Sequence, residues 1–122
     1  MATIMIVDDS NYTRRTHRRI LESEGYTVVE AGTGMAAIEG FFVHHPDLVL
    51  LDLTMEDMGG LEVLERLREL NAGARVIVVS ADVQRSTAKM VADSGAVRFL
   101  GKPVTPEGLL EAVHEALAGG AS

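Results

Sequence analysis

The sequence predicts an α/β fold in which five parallel strands form a doubly wound sheet covered by five helices. Three observations carry that expectation. Short apolar runs alternate with amphipathic stretches five times along the 122 residues. Val, Ile and Leu fill those runs almost continuously, the pattern of parallel strands buried on both faces. The connections are short, and right-handed crossovers of that kind lay helices on both sides of a sheet.

The elements run in order along the chain. Thr3–Val7 reads as the first strand, and a helix over Thr13–Ser23 stops before Gly25. Thr27–Ala31 is the second strand, and the helix over Met35–His44 ends before Pro46, because a proline disfavours helical backbone in the residue preceding it. Leu48–Leu51 is the third strand, followed by a helix over Gly60–Leu70 with Gly73 as its stop signal. Arg75–Ser80 and the helix over Gln84–Asp93 make the fourth unit, with Gly95 as the stop. Val97–Leu100 is the last strand. Thr105-Pro106 supplies an N-cap and a first-turn proline for the helix over Pro106–Ala118, which closes at Gly119. No linker, repeat or low-complexity segment interrupts residues 1–122, so one domain is expected, with a frayed tail from Ala118 to Ser122.

Composition narrows the function. A formal charge of −7 argues against a nucleic-acid surface, which needs a dominating basic patch. Aromatic residues make up only 4% of the chain, so the core must be aliphatic. The sequence has no cysteine, which excludes disulfides and thiolate sites. The N-terminus lacks the basic region of a signal peptide and no apolar run could span a membrane. A soluble cytoplasmic protein is expected.

In such a sheet, ligands bind beyond the carboxyl ends of the strands, where the strand order switches. Asp8-Asp9, Asp52, Ser80 and Lys102-Pro103 each come directly after, or at the end of, one of four apolar runs. A single aspartate there ordinarily caps a helix or a turn. Reactive groups at the ends of four different strands are harder to assign to capping. Three converging carboxylates repel one another unless a cation neutralises them, and oxygen-only donors suit a hard ion such as Mg2+. A lysine and a hydroxyl across the same pocket would complete what a transferring phosphoryl group requires. Asp52, after the buried run Leu48–Leu51, is the best-placed nucleophile.

On these residues the chain resembles the receiver domains of two-component response regulators, over essentially its whole length. The carrying motifs are Asp8-Asp9, "LVLLDLTM" around Asp52, "VIVVSA" ending in Ser80-Ala81, "FLGKP" with Lys102-Pro103, and Gly59-Gly60-Leu61-Glu62 leading into the third helix. The resemblance implies a flavodoxin-like (βα)5 receiver fold. It implies that Asp52 accepts phosphate from a sensor histidine kinase, a histidine phosphotransfer domain or a small phosphodonor. Asp9, the Asp52 carboxylate and the main-chain carbonyl of Thr54 would ligate Mg2+, with Asp8 acting through water. Ser80 and Lys102 would contact the phosphoryl oxygens, and Phe99 would be the switch aromatic coupled to Ser80. The Lys102-Pro103 bond is expected to be cis. Thr54 and Asp82 hold positions that tune dephosphorylation, beside Ala81. The response would appear on the face of helix 4, strand 5 and helix 5, where a downstream partner binds. Such a protein catalyses only its own phosphorylation and dephosphorylation. It resembles a single-domain chemotaxis-type regulator or a phosphorelay intermediate, and a receiver cut from a longer protein fits equally.

One departure stands out: many receivers carry a proline after the methionine near the phosphoacceptor, whereas Met55 is followed here by Glu56. A more mobile loop with an extra carboxylate is the expectation. Arg14, Arg15, Arg18 and Arg19 give the first helix a basic face, suited either to an acidic kinase surface or simply to solvent. His17, His44, His45 and His114 have no ligand spacing. Two rival readings remain at this level. One is a small Mg2+-dependent phosphatase of the haloacid-dehalogenase type, faintly suggested by Asp52-Leu53-Thr54. The other is a receiver-like binding scaffold that is never phosphorylated.

Overall fold

A computed structural model describes residues 2–55, 57–82 and 84–119. Five β-strands and five α-helices alternate: β1 Thr3–Val7, α1 Asn11–Ser23, β2 Thr27–Ala31, α2 Gly34–His44, β3 Leu48–Asp52, α3 Gly60–Leu70, β4 Val76–Ser80, α4 Arg85–Asp93, β5 Arg98–Gly101 and α5 Pro106–Gly119. All pairings are parallel and the strand order is β2-β1-β3-β4-β5. The doubly wound sheet expected from the sequence is therefore present.

Residue alternation along the strands divides the core into two layers. Met5, Val7, Val49, Leu51, Val76 and Val78 face α2, α3 and α4, where Phe41, Val63, Leu64, Leu67 and Val91 meet them. Ile4, Ile6, Leu48, Leu50, Ile77 and Val79 face α1 and α5, against Leu21, Leu109, Ala112 and Val113. Burying each of the Val, Leu, Ile, Met and Phe side chains among them contributes about 1.5–3 kcal/mol, which offsets the conformational entropy lost in ordering ten short elements. Continuous burial holds only for the inner strands. β3 and β4 are buried at every position, whereas β2 and β5 are partly exposed because each pairs on one side only.

Several boundaries differ from the sequence reading for local reasons. α1 starts at Asn11 and not Thr13, because the Ser10 side chain accepts the Thr13 N–H and so occupies the N-cap. Thr33 does the same for Ala36, which starts α2 at Gly34. The third strand extends to Asp52, which pairs with Val79, while β4 starts at Val76, α4 at Arg85 and β5 at Arg98. Gly25 and Gly95 take left-handed backbone (φ 88° and 94°) and end α1 and α4 as expected. Gly73 does not end α3. Asn71 does so in extended conformation, its side chain accepting the Gly73 N–H. α2 ends on His45, itself left-handed at φ 46°. Thr105 accepts the Gly108 N–H and caps α5 as expected. Glu56 and the end of the tail, Gly120–Ser122, lie outside the described residues.

Gly60 sets how closely α3 approaches the end of β3. Its N–H donates to the Leu53 carbonyl at 3.0 Å, bringing the start of the helix down onto the strand end. A Cβ at this position would run into Leu53 Cα and lie 2.8 Å from the Asp52 carbonyl oxygen, whereas one at Gly59 would meet nothing within 4 Å. Gly60→Ala is therefore expected to destabilise the protein by about 1–3 kcal/mol. Gly59→Ala should leave the midpoint of urea denaturation nearly unchanged. Equal midpoints for the two variants would contradict this packing.

Candidate functional site

The strand order switches at β1, which has β2 on one side and β3 on the other, and the site lies at the carboxyl ends of β1 and β3. Asp8 follows β1, and its N–H donates to the Ala31 carbonyl at 3.1 Å, continuing the ladder with β2. Its side chain is buried. Oδ1 accepts the Ser10 N–H at 2.9 Å and Oδ2 accepts from Lys102 Nζ at 3.0 Å. Asp52 ends β3, also buried, with Oδ1 accepting the Thr54 N–H at 3.2 Å and Oδ2 3.7 Å from Lys102 Nζ. Asp9 is exposed above them. One carboxylate oxygen from each of Asp8, Asp9 and Asp52 lies within 4.8 Å of the other two.

Lys102 reaches this cluster from just past β5. Its N–H donates to the Ser80 carbonyl at 2.9 Å, and the Lys102-Pro103 bond is cis, as expected. Ser80, at the end of β4, is wholly buried, and its hydroxyl accepts the Asp82 N–H at 3.1 Å.

Burial is the main force pushing the Asp52 carboxyl above the usual carboxylate range. The Thr54 N–H pulls it down, Asp8 pushes it up, Lys102 pulls it down and Asp9 adds a further push. Three carboxylates face one ammonium, so with all of them ionised two negative charges remain uncompensated. Packed oxygen donors with excess negative charge, and no sulfur or nitrogen among them, fit a hard divalent cation such as Mg2+. Asp8, Asp9 and Asp52 are the residues that could hold it, and Thr54, an exposed residue, lies two positions beyond Asp52 in the chain.

The other residues singled out from the sequence fall into place unevenly. Ala81 and Pro103 are exposed beside the cluster. Asp82 points away into α4, where Oδ1 accepts the Gln84 N–H and Oδ2 the Thr87 hydroxyl. Phe99 is half-buried in β5 and packs on the α2–α4 side of the core, opposite Val78 in register. The basic face of α1 is partly neutralised: Arg14 and Arg18 both pair with Glu30 of β2, at 3.0 and 2.8 Å, and Arg18 also pairs with Glu22. Arg14 further donates to the Asp8 carbonyl and to Asn11.

Three features were not legible in the sequence. Asp57 accepts the N–H groups of Gly34 and Met35 at the start of α2. The Gly34 amide is the main influence holding the Asp57 carboxyl below the usual range. A groove of about 390 Å³ runs between α1 and the segment after β5, lined by Tyr12, Thr16, His17, Lys102 and Pro103. His17 is buried in its wall, and burial lowers its pKa. Each feature joins residues far apart in the chain, and no local motif announces such pairs.

Comparison with known proteins agrees with this geometry. The response regulator receiver domain family matches residues 4–114. The chain is 38% identical over 115 residues to the chemotaxis protein CheY of Bacillus subtilis, covering 93% of this chain and 96% of that one. A CheY-like receiver domain from Methanospirillum hungatei superposes with a TM-score of 0.94 at 31% identity, covering 99% of this chain and 97% of its own. CheY in a CheX-CheY-BeF3-Mg2+ complex from Borrelia burgdorferi superposes with a TM-score of 0.90 at 32% identity, covering 93% of this chain and 87% of that one.

A carboxyl whose pKa is raised by folding lets the native state hold its proton longer than the unfolded chain does. Its contribution is fully present below the ordinary carboxylate value, near 3.9, and is lost as pH rises through the higher folded-state value. At pH 7 and without divalent cation, ionised Asp52 therefore destabilises the fold. Asp52→Asn should be more stable than the parent at pH 7, read as a higher Tm. The gain should shrink as pH falls through the folded-state value towards the ordinary one. Thermal melts of both proteins across that range check this, and a less stable Asp52→Asn at pH 7 would refute it.

Proposed function

The chain belongs to the response regulator receiver family, and from that premise we propose that it is a phosphoacceptor switch in a two-component system. Asp52 takes a phosphoryl group from a sensor histidine kinase, a histidine phosphotransfer domain or a small phosphodonor. The observation that carries this reading is the Lys102 ammonium lying between the buried carboxylates of Asp8 and Asp52, within 3.0 and 3.7 Å.

The Asp52 carboxylate attacks the phosphorus. The phosphorus–nitrogen bond to the donor histidine breaks as the new phosphorus–oxygen bond forms, and the released imidazole takes its proton from solvent. Asp52 must be ionised to attack, which burial opposes and Lys102 favours. Lys102 exchanges its bond to Asp8 for one to a phosphoryl oxygen, supplying a fixed positive charge where the transferring group is most negative. Asp9, Asp52 and the Thr54 main-chain carbonyl would hold Mg2+, with Asp8 acting through water, and the ion would neutralise phosphoryl oxygens during transfer. The Mg2+ and BeF3 named with the Borrelia CheY support that assignment by likeness.

The Ser80 hydroxyl, bonded in this structure by the Asp82 amide, is the donor that turns towards the new phosphoryl group. Its movement draws in the start of α4 and lets Phe99 change its packing, so the face of α4, β5 and α5 shifts between two states. A downstream protein binds that face. The phosphodonor protein approaches along the groove between α1 and Lys102, the residue whose ammonium is bonded to Asp8. The protein catalyses only its own phosphorylation and dephosphorylation and turns over no external substrate. No helix among the described residues is long and apolar enough to cross a membrane. The likeness to the Bacillus CheY supports a cytoplasmic place for this exchange.

Intact-mass spectrometry after incubation with acetyl phosphate and Mg2+ tests the chemistry. One phosphoryl adduct is expected on the parent, lost when Mg2+ is withheld and absent from Asp52→Asn. An adduct that persists on Asp52→Asn, or none on either protein, would remove Asp52 as the acceptor.

A further inference from the structure

The segment between β3 and α3 carries Thr54, and it lacks the proline that commonly stiffens it, because Glu56 follows Met55. Its described residues are held from outside. On the β3 side, Asp52 accepts the Thr54 N–H and Leu53 accepts the Gly60 N–H. On the far side, both carboxylate oxygens of Asp57 are engaged: Oδ1 accepts the Gly34 N–H at 2.9 Å and Oδ2 the Met35 N–H at 3.2 Å. These are amides of the first turn of α2, which have no partner within the helix. Met58 adds contact at the same place, since a Cβ on Gly34 would lie 2.8 Å from Met58 Cβ. Thr54 therefore sits on a short span pinned at one end to β3 and at the other to α2.

We propose that Asp57 is a positioning residue for the metal site: by clamping the β3–α3 segment to the N-terminus of α2, it fixes the Thr54 main-chain carbonyl beside Asp9 and Asp52. The inference rests on the reading of those groups as Mg2+ ligands. A carbonyl on a free span must be ordered each time an ion binds, and that lost freedom weakens binding. With Asp57 bonded to the Gly34 and Met35 amides, part of that ordering precedes ion binding. Partners lying behind the ligands commonly change metal affinity by tenfold or more.

Isothermal titration of the whole chain with MgCl2 tests this. Asp57→Ala should weaken Mg2+ binding about tenfold, and Asp57→Asn, which keeps one oxygen acceptor, should recover part of the loss. Thr33→Ala is the structural control: it removes the Ala36 cap from the same helix end without touching the β3–α3 segment. It should lower Tm as Asp57→Ala does, yet bind Mg2+ like the parent. Parental affinity in Asp57→Ala, or an equal loss in Thr33→Ala, would overturn the positioning role while leaving the metal site standing. A parent chain that binds no Mg2+, and so behaves like Asp9→Asn, would overturn the metal site itself and the inference with it.

Discussion

The repulsion among Asp8, Asp9 and Asp52 is the constraint around which the rest of the molecule is arranged. Two of these carboxylates are buried, and like charges at that distance in a partly desolvated site destabilise the fold. The structure contains the repulsion with directed hydrogen bonds. The Ser10 amide holds Asp8, the Thr54 amide holds Asp52, and Lys102 crosses from the far side of the sheet to face both. Such an arrangement is poised: any cation or phosphoryl group that alters the local charge changes which of these bonds is best.

The parallel sheet makes that arrangement possible. Parallel strands deliver all their carboxyl ends to one edge, so groups 94 residues apart, Lys102 and Asp8, meet with no long excursion of the chain. The two aliphatic layers keep β3 and β4 rigid beneath them, which fixes Asp52 and Ser80 to within the tolerance of close packing. Residues that do not need such precision occupy looser ground. Asp9, Thr54 and Ala81 are exposed at the rim, where a partner or solvent reaches them.

Supporting contacts come from outside the motif residues. Arg14 ties the Asp8 carbonyl to Glu30 of β2, and Asp57 ties the segment after Asp52 to α2. Both brace the ends of strands that bear the clustered carboxylates. They differ in kind. Arg14 is largely shielded and belongs to a network with Arg18, Glu22 and Glu30, while Asp57 works alone at the surface through backbone amides.

The sequence by itself determined the ten elements and which residues gather at the carboxyl ends of the strands, because both are written in local order. Continuous Val, Ile and Leu runs mark buried strands, and Asp8, Asp52, Ser80 and Lys102 are legible because each stands where such a run stops. Only the tertiary structure decided what those residues touch. The partial exposure of β2 and β5 comes from their place at the sheet edges, which strand order alone sets. The pairing of Arg14 and Arg18 with Glu30 spans 16 and 12 residues, and Asp57 meets α2 amides 23 and 22 residues back. No periodicity or motif encodes contacts at those separations. They arise when crossovers bring helix ends over strand ends, and packing, not propensity, chooses the partner.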